Sequence, residues 1–476
     1  FAAARLARPA AANGASGGAD FFGSPTGFRL SGSASLRRNR NVRRIDIALR
    51  RGEPTRAREL LHTDITHNWI SAPDAAQVIA RIAASYFYNG ETGQARSMAH
   101  MSAEAGVPLG LWIEGLSAWK QKDYVVATRA FASLAQTPSL ADWDRAAASF
   151  WAYRGARHID DKAQAVHWLA QAAQYRRSFY GYMAAHLMGH RAEASWKLPA
   201  FTAKQAALLA RYPAGWEALA LIQSGRTDLA EGELRRLGLS GHHDLQTATL
   251  ALAERAGMPS LTLQLGGIVT NSDGHPYDAA LYPVPPWKPA GGFKIDRALI
   301  YALMKRESQF DPDATSQRGA CGLMQIMPST ARGISSGIAH TKRGACPARL
   351  FDPATNIALG QKYVRVLSNQ PAIGNNLMLL LTAYNGGPGN LAHWLGSTDN
   401  NDPLLFMESL PVRETRDYVQ QVLLHYWMYR SRLAEPEISV AQLANGKWPR
   451  YALHVSETPA HNIQAQASLP LEVASR

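Results

Sequence analysis

In the stretch 301–328, YALMKRESQFDPDATSQRGACGLMQIMP, one glutamate sits where a helix offers it no partner. Asp296 is an N-cap residue type followed by good helix formers, so a helix is expected to start there. Leu299, Ile300, Leu303 and Met304 form one apolar stripe of helical period. Glu307 continues that stripe and occupies the last turn before Phe310-Asp311-Pro312 ends the helix. Burial and the negative end of the helix dipole both push its pKa up. A carboxyl that keeps its proton near neutral pH is what a general acid requires. The competing reading is that Glu307 reaches solvent or pairs with Arg306 or Lys305.

General acids of this kind often work with a second carboxylate, so the other acidic residues nearby matter. Asp311 and Asp313 lie in a DPDATS context that reads as turn chemistry, and Asp352 in FDPATN reads as a helix cap. Glu414 remains as a candidate. Gln325 offers amide donors and an acceptor, and Met327 an adaptable apolar wall, although Met327 and Leu323 also suit a plain core. Tyr384 and Asn385 stand at a Gly-rich turn, Gly386 to Gly389, whose composition reads as backbone geometry. The two cysteines, Cys321 and Cys346, fall in this same segment. An even pair in one domain is expected to form a disulfide in an oxidising compartment, the alternative being two packed thiols. No histidine stands at ligand spacing beside them, so no metal is expected; no cofactor is expected either.

Four blocks occur in order: Glu307-Ser308, GLMQIMP at 322–328, AYNGGPG at 383–389 and LPVRETRDYV at 410–419. Together they resemble the catalytic domain of the soluble lytic transglycosylases, over roughly residues 286–432. Two departures are Gly386, where alanine is more usual, and Val412, where an aromatic is common; neither removes a functional group. The resemblance implies a peptidoglycan lyase whose one glutamate, Glu307, acts as acid and then base at the bond between N-acetylmuramic acid and N-acetylglucosamine, forming 1,6-anhydromuramic acid. It assigns Ser316, Gln325 and Met327 to a glycan-contacting wall and places Tyr384 near the reacting centre, with Asn385 fixing the turn. Glu414 would face the cleft, while Ser308, Gly322, Leu323, Met324, Arg416 and Tyr418 act as supports, with Arg416 expected to pair with a nearby acid. The rivals are a muramidase of the same fold and a solenoid scaffold bearing a non-catalytic glycan-binding module.

These residues need elements to hold them, and 476 residues allow two or three domains. The expected fold class is all-α: an N-terminal α-solenoid of helical hairpins, then a lysozyme-like, mainly helical catalytic domain whose fold comes from the resemblance. Residues 1–42, rich in Ala, Gly, Ser and Arg, read as a disordered or loosely attached segment. The solenoid is expected over 43–270, a Pro/Gly linker over 271–295, the catalytic domain over 296–435 and an extension over 436–476. A weak repeat runs through the solenoid, an alanine five residues after a marker: Gly52–Ala57, Gly90–Ala95, Lys122–Ala127, Asp160–Ala165 and Gly225–Ala230. The last interval, 160 to 225, fits two units. Trp112, Trp119, Trp151, Trp168, Phe179, Tyr180 and Tyr182 read as inter-helix core ahead of sugar-stacking platforms.

Fifty basic against thirty-seven acidic residues give a net charge of +13, which attracts polyanions in general. No nucleic-acid-binding signature accompanies the charge, so nucleic acid is a minor reading. The resemblance implies the peptidoglycan glycan strand as partner, which a basic chain suits, with peripheral contact to the outer membrane or to cell-wall enzymes. No apolar run reaches the length of a membrane-spanning helix. The chain opens at Phe1 and reads as a mature or truncated product, and the resemblance implies a periplasmic location in a Gram-negative envelope.

Overall fold

The computed structural model describes residues 39–138, 140–190, 194–338, 345–397 and 401–451. Nearly all of the expected N-terminal tail lies outside them, as does the end of the C-terminal extension. The described residues are helical from Arg40–Arg50 to Ile438–Ala444, joined by loops with a few isolated β-bridges and no strand. The all-α expectation therefore holds. None of these helices is long and apolar enough to cross a membrane.

The repeat has a physical origin in how each helix stops. All five marker residues, Gly52, Gly90, Lys122, Asp160 and Gly225, have left-handed φ between 56° and 86°. The residue after each donates its N–H to the carbonyl five residues earlier: Glu53 to Ala48, Glu91 to Tyr86, Asp123 to Ala118, Asp161 to Ala156 and Arg226 to Leu221, at 2.8–3.0 Å. This is a Schellman closure, which satisfies the last carbonyls and turns the chain. The alanine five positions on faces the neighbouring helix; Ala57, Ala95, Ala127 and Ala230 are fully buried and Ala165 nearly so. A larger side chain there would hold the paired helices apart.

The interval from 160 to 225 holds two helix pairs, Lys162–Ala173 with Phe179–Leu187 and Ala203–Ala210 with Pro213–Gln223, so it fits two units. Gly189 between them closes the turn in the same way, at φ 76° with His190 donating to Ala185 at 3.0 Å. After helix Phe179–Leu187 the chain runs without helix from 194 to 202, and the apolar core divides there. One core joins the first eight hairpin helices and their successor to the C-terminal region, and a smaller one covers 209–280. The seven aromatics expected in the core are all buried. Several also face the C-terminal region: Trp119 donates to Asp402 at 3.1 Å, Tyr180 to Glu408 at 2.5 Å and Tyr182 to Glu437 at 2.8 Å, and Phe179 stacks on Trp427.

The proline-rich segment 271–295 packs closely. It contains the short helix Asp278–Leu281 with buried Ala279, Ala280 and Leu281, and Arg177 pairs with Asp278 at 2.9 Å. Helix Ile438–Ala444 also packs back, with Trp427 donating to Ser439 at 3.0 Å.

Candidate active site

Asp296 caps helix Arg297–Glu307 by accepting the Ala298 N–H at 2.8 Å, so the helix begins where the sequence places it. It ends on Glu307. Ser308 follows, buried, and its hydroxyl donates to the Met304 and Leu323 carbonyls at 3.2 and 2.9 Å. Gln309 and Phe310 then both take left-handed φ, 52° and 65°, although neither is glycine. Such backbone costs on the order of 1 kcal/mol or more per residue and persists only where packing over-determines it. Phe310 is fully buried and supplies that packing. The glutamate is thus aimed by a helix that is stopped abruptly behind it.

Glu307 is partly buried, and its Oε1 accepts the Tyr418 hydroxyl at 2.6 Å. No ion pair to Arg306 or Lys305 forms. Arg306 lies over the Tyr418 ring, 5.6 Å from its centroid, and Lys305 is turned away onto the Tyr282 ring. Burial raises the Glu307 pKa to about 7 against the opposing Tyr418 hydrogen bond and Arg306 charge, with Glu414 adding a small push upward. Glu414 is exposed, close enough for its charge to be felt.

The GLMQIMP loop is held by devices on three sides. Asn356, fully buried, accepts the Met324 N–H at 2.8 Å and donates to the Cys321 and Leu350 carbonyls. Gly322 has φ +72°, and a Cβ there would stand 2.2 Å from the Leu350 carbonyl oxygen, so only glycine fits. A disulfide joins Cys321 to Cys346. Inside this loop Gln325, also left-handed, donates to the Ala314 and Gly322 carbonyls at 3.1 and 2.9 Å. Its Oε1 is buried and has no partner.

Tyr384 donates to the Met324 carbonyl at 2.9 Å, and its ring stacks on Tyr418 at 6.4 Å and 9°. Asn385 accepts the Thr415 hydroxyl at 2.8 Å, tying the AYNGG turn to the RETRDYV helix. A Cβ at Gly386 would meet the Trp394 ring at 2.8 Å, which accounts for glycine where alanine is more usual. Glu307, Ser308, Leu323, Met324, Gln325, Tyr384, Asn385 and Tyr418 therefore form one connected group. Met327 is 37% exposed at the head of helix Pro328–Ile334, as a cleft wall would be. Ser316 is buried, and its hydroxyl accepts the Ala320 N–H at 2.9 Å, closing its own turn.

Asp311 and Asp352 are local, as the sequence reads them: they accept the Asp313 and Thr355 N–H groups at 3.0 and 2.8 Å. Two expectations need correction. Tyr418, read as a support, touches Glu307 directly. Arg416, read as an ion-pair partner, instead donates to the Leu410 carbonyl and lies over the Tyr88 ring, because helix Arg413–Arg432 turns that side toward the solenoid. Asn356 and Thr415 carry no signal in the sequence beyond their residue types. Among the described residues no group of three His, Cys, Asp or Glu side chains could hold a metal ion.

Residues 287–406 match the family model of the transglycosylase SLT domain. Over 161 residues the chain is 37% identical to a soluble lytic murein transglycosylase of Salmonella typhimurium, covering 33% of this chain and 24% of that one. Over 146 residues it is 38% identical to the corresponding Escherichia coli K12 protein, covering 29% and 21%. These matches span about a quarter of the curated relatives' length. In fold, the chain is similar to the crystal structure of the 70 kDa soluble lytic transglycosylase of Escherichia coli, with a TM-score of 0.69 and 23% identity over 88% of this chain and 66% of that one. The resemblance read from the four sequence blocks thus holds in both sequence and fold.

Proposed function

We propose that this chain is a peptidoglycan lytic transglycosylase that cleaves the β-1,4 bond between N-acetylmuramic acid and N-acetylglucosamine. The observation that carries the reading is Glu307: a carboxyl whose pKa is raised to about 7, ending a helix, with one tyrosine hydroxyl as its hydrogen-bond partner among the described residues. Oε2 has no hydrogen-bond partner among the described residues and carries the proton toward the substrate. Glu307 gives that proton to the glycosidic oxygen as the C1–O bond breaks, and the neighbouring 2-acetamido group stabilises C1. The Tyr418 hydroxyl then steadies the carboxylate. The carboxylate removes the proton from the C6 hydroxyl, whose oxygen bonds to C1, so 1,6-anhydromuramic acid forms and no water is consumed.

Met327, exposed at the loop end, is suited to line one sugar face, while Gln325, its amide donating to the Ala314 and Gly322 carbonyls, shapes the loop behind it. The relatives' names supply the substrate class, murein. A disulfide and a positive net charge suit an oxidising, polyanion-rich envelope, and we place the protein in the periplasm.

Digestion of purified sacculi with the protein, followed by mass analysis of the muropeptides, tests the reading. Products one water lighter than hydrolysis products are expected. Reducing-end products would instead favour a muramidase, with Glu414 beside Glu307 as the group to hold the water. Undiminished cleavage by Glu307→Gln would reject the site.

A further inference from the structure

Helix Arg413–Arg432 stands between the solenoid and the cleft. Arg416 and Tyr418 are two residues apart on it, so their side chains leave the axis roughly 200° apart, on opposite sides. Tyr418 reaches Glu307. Arg416 points the other way, into the seam with the solenoid, and is buried there. Its guanidinium carbon lies 4.2 Å from the ring centroid of Tyr88, the last residue of solenoid helix Ala72–Tyr88, and it also donates to the Leu410 carbonyl just before its own helix starts. One side chain thus grips the solenoid and the helix entrance at once.

We propose that Tyr88 of the solenoid is a positioning residue for Glu307: its ring seats Arg416, which fixes the first turns of helix Arg413–Arg432 and so the hydroxyl that Tyr418 places on the carboxyl. The inference rests on the reading of Glu307 as the acid. It gives the solenoid a part in the chemistry beyond that of a platform. The seam is otherwise a poor place to economise on packing. Asp144 Oδ1, Glu408 Oε2 and Asp417 Oδ1 are buried there without partners, an arrangement that apolar residues would avoid. The charged and titratable groups around this point are Asp144 and Tyr180 from the solenoid, and Arg306, Glu408, Arg413 and Asp417 from the other side.

The direction of the effect follows from the Tyr418 bond, which opposes the upward push of burial on Glu307. If the first turns of the helix slip, that opposition is lost. Glu307 then keeps its proton to higher pH, and the displaced acid transfers it less well.

The test compares the parent chain with Tyr88→Leu, which removes the ring face, and Tyr88→Phe, which keeps it. Turnover on sacculi is read across pH, and the Glu307 titration is read without substrate from the stability difference between each background and its Glu307→Gln partner. Tyr88→Leu is expected to lower kcat by on the order of tenfold, as a small misplacement of a catalytic group does, and to move the alkaline limb and the Glu307 titration upward. Tyr88→Phe is expected to restore both. If Tyr88→Leu does not fold, Arg416→Lys, which keeps the charge and loses the flat stacking face, carries the same expectation. A folded variant of either kind with parental kcat and parental Glu307 titration overturns the positioning role, even if its thermal midpoint falls. An inactive parent would instead count against the reading of Glu307 itself.

Discussion

Two glutamates in this molecule share nearly the same local chemistry and sit in opposite settings. Glu307 in the cleft and Glu408 in the seam each accept a tyrosine hydroxyl, from Tyr418 at 2.6 Å and from Tyr180 at 2.5 Å. Burial raises each pKa to about 7. Glu408 lies within helix Pro403–Ser409, is 1% exposed, takes a second bond from Gln420 at 2.9 Å and has Trp151 behind its tyrosine at 3.0 Å. Glu307 ends its helix, is followed by two strained residues and keeps part of its surface open. A displaced pKa therefore does not locate the chemistry by itself; a displaced pKa with an unclaimed oxygen facing an opening does.

The largest expected break between the two is in activity. Glu307→Gln should lower turnover on sacculi by about a thousandfold, the usual scale of a general acid, whereas the isosteric Glu408→Gln should turn over near the parental rate. Comparable losses from both would show that the seam acid takes part in the reaction. The next contrast is in stability against pH, where the two should behave alike. Each carboxyl's folded pKa is raised from 4.5 to about 7, so the native state holds an extra proton between those values. Stability present below pH 4.5 is lost as pH rises to about 7, by up to about 3 kcal/mol per group. Denaturant titrations at pH 4.5 and pH 8 should therefore show Glu408→Gln and Glu307→Gln gaining on the parent at the higher pH. A stability difference that does not change with pH would contradict the burial of that carboxyl.

What the sequence discloses follows the range of the interaction. The Asp296 cap, the stripe leading to Glu307, the turns at Asp311 and Asp352 and the marker-to-alanine repeat are all settled within a few residues, and each is legible. The left-handed φ at Lys122 and Asp160 explains why the repeat survives without its glycine: the turn requires a conformation, and a costlier residue adopts it. The break after Leu187 falls outside the marker-to-alanine reading, although a local stop stands there: Gly189 takes φ 76° and Pro199 follows in the helix-free run 194–202. Within the site, residue types were enough for Glu307, Gln325 and Tyr384 as candidates. The bond from Tyr418 crosses 111 residues, and the contact of Arg416 with Tyr88 crosses into the solenoid. Nothing in helical periodicity distinguishes a tyrosine that supports from one that touches the acid.

The smallest contrast is the sharpest, because it removes one oxygen atom from each region. Tyr418→Phe deletes the one hydrogen bond that the Glu307 carboxyl accepts among the described residues, while leaving the ring stacked on Tyr384. With that bond gone burial is less opposed, so the alkaline limb of kcat/KM, set by loss of the Glu307 proton, should move above about 7. The ionised base formed in mid-reaction also loses its donor, and kcat should fall by roughly tenfold, the scale of one hydrogen bond to a charged group. Tyr180→Phe deletes the matching bond to Glu408 and leaves the Trp151 indole N–H without its acceptor. That change should cost about 1–3 kcal/mol of stability and leave the limb in place. The two hydroxyls are chemically equivalent, so a shift of the limb with Tyr418→Phe alone would assign the difference to the open face of Glu307. Equal shifts from both would mean that the seam and the cleft titrate as one unit, and that the solenoid governs the acid by charge as well as by position.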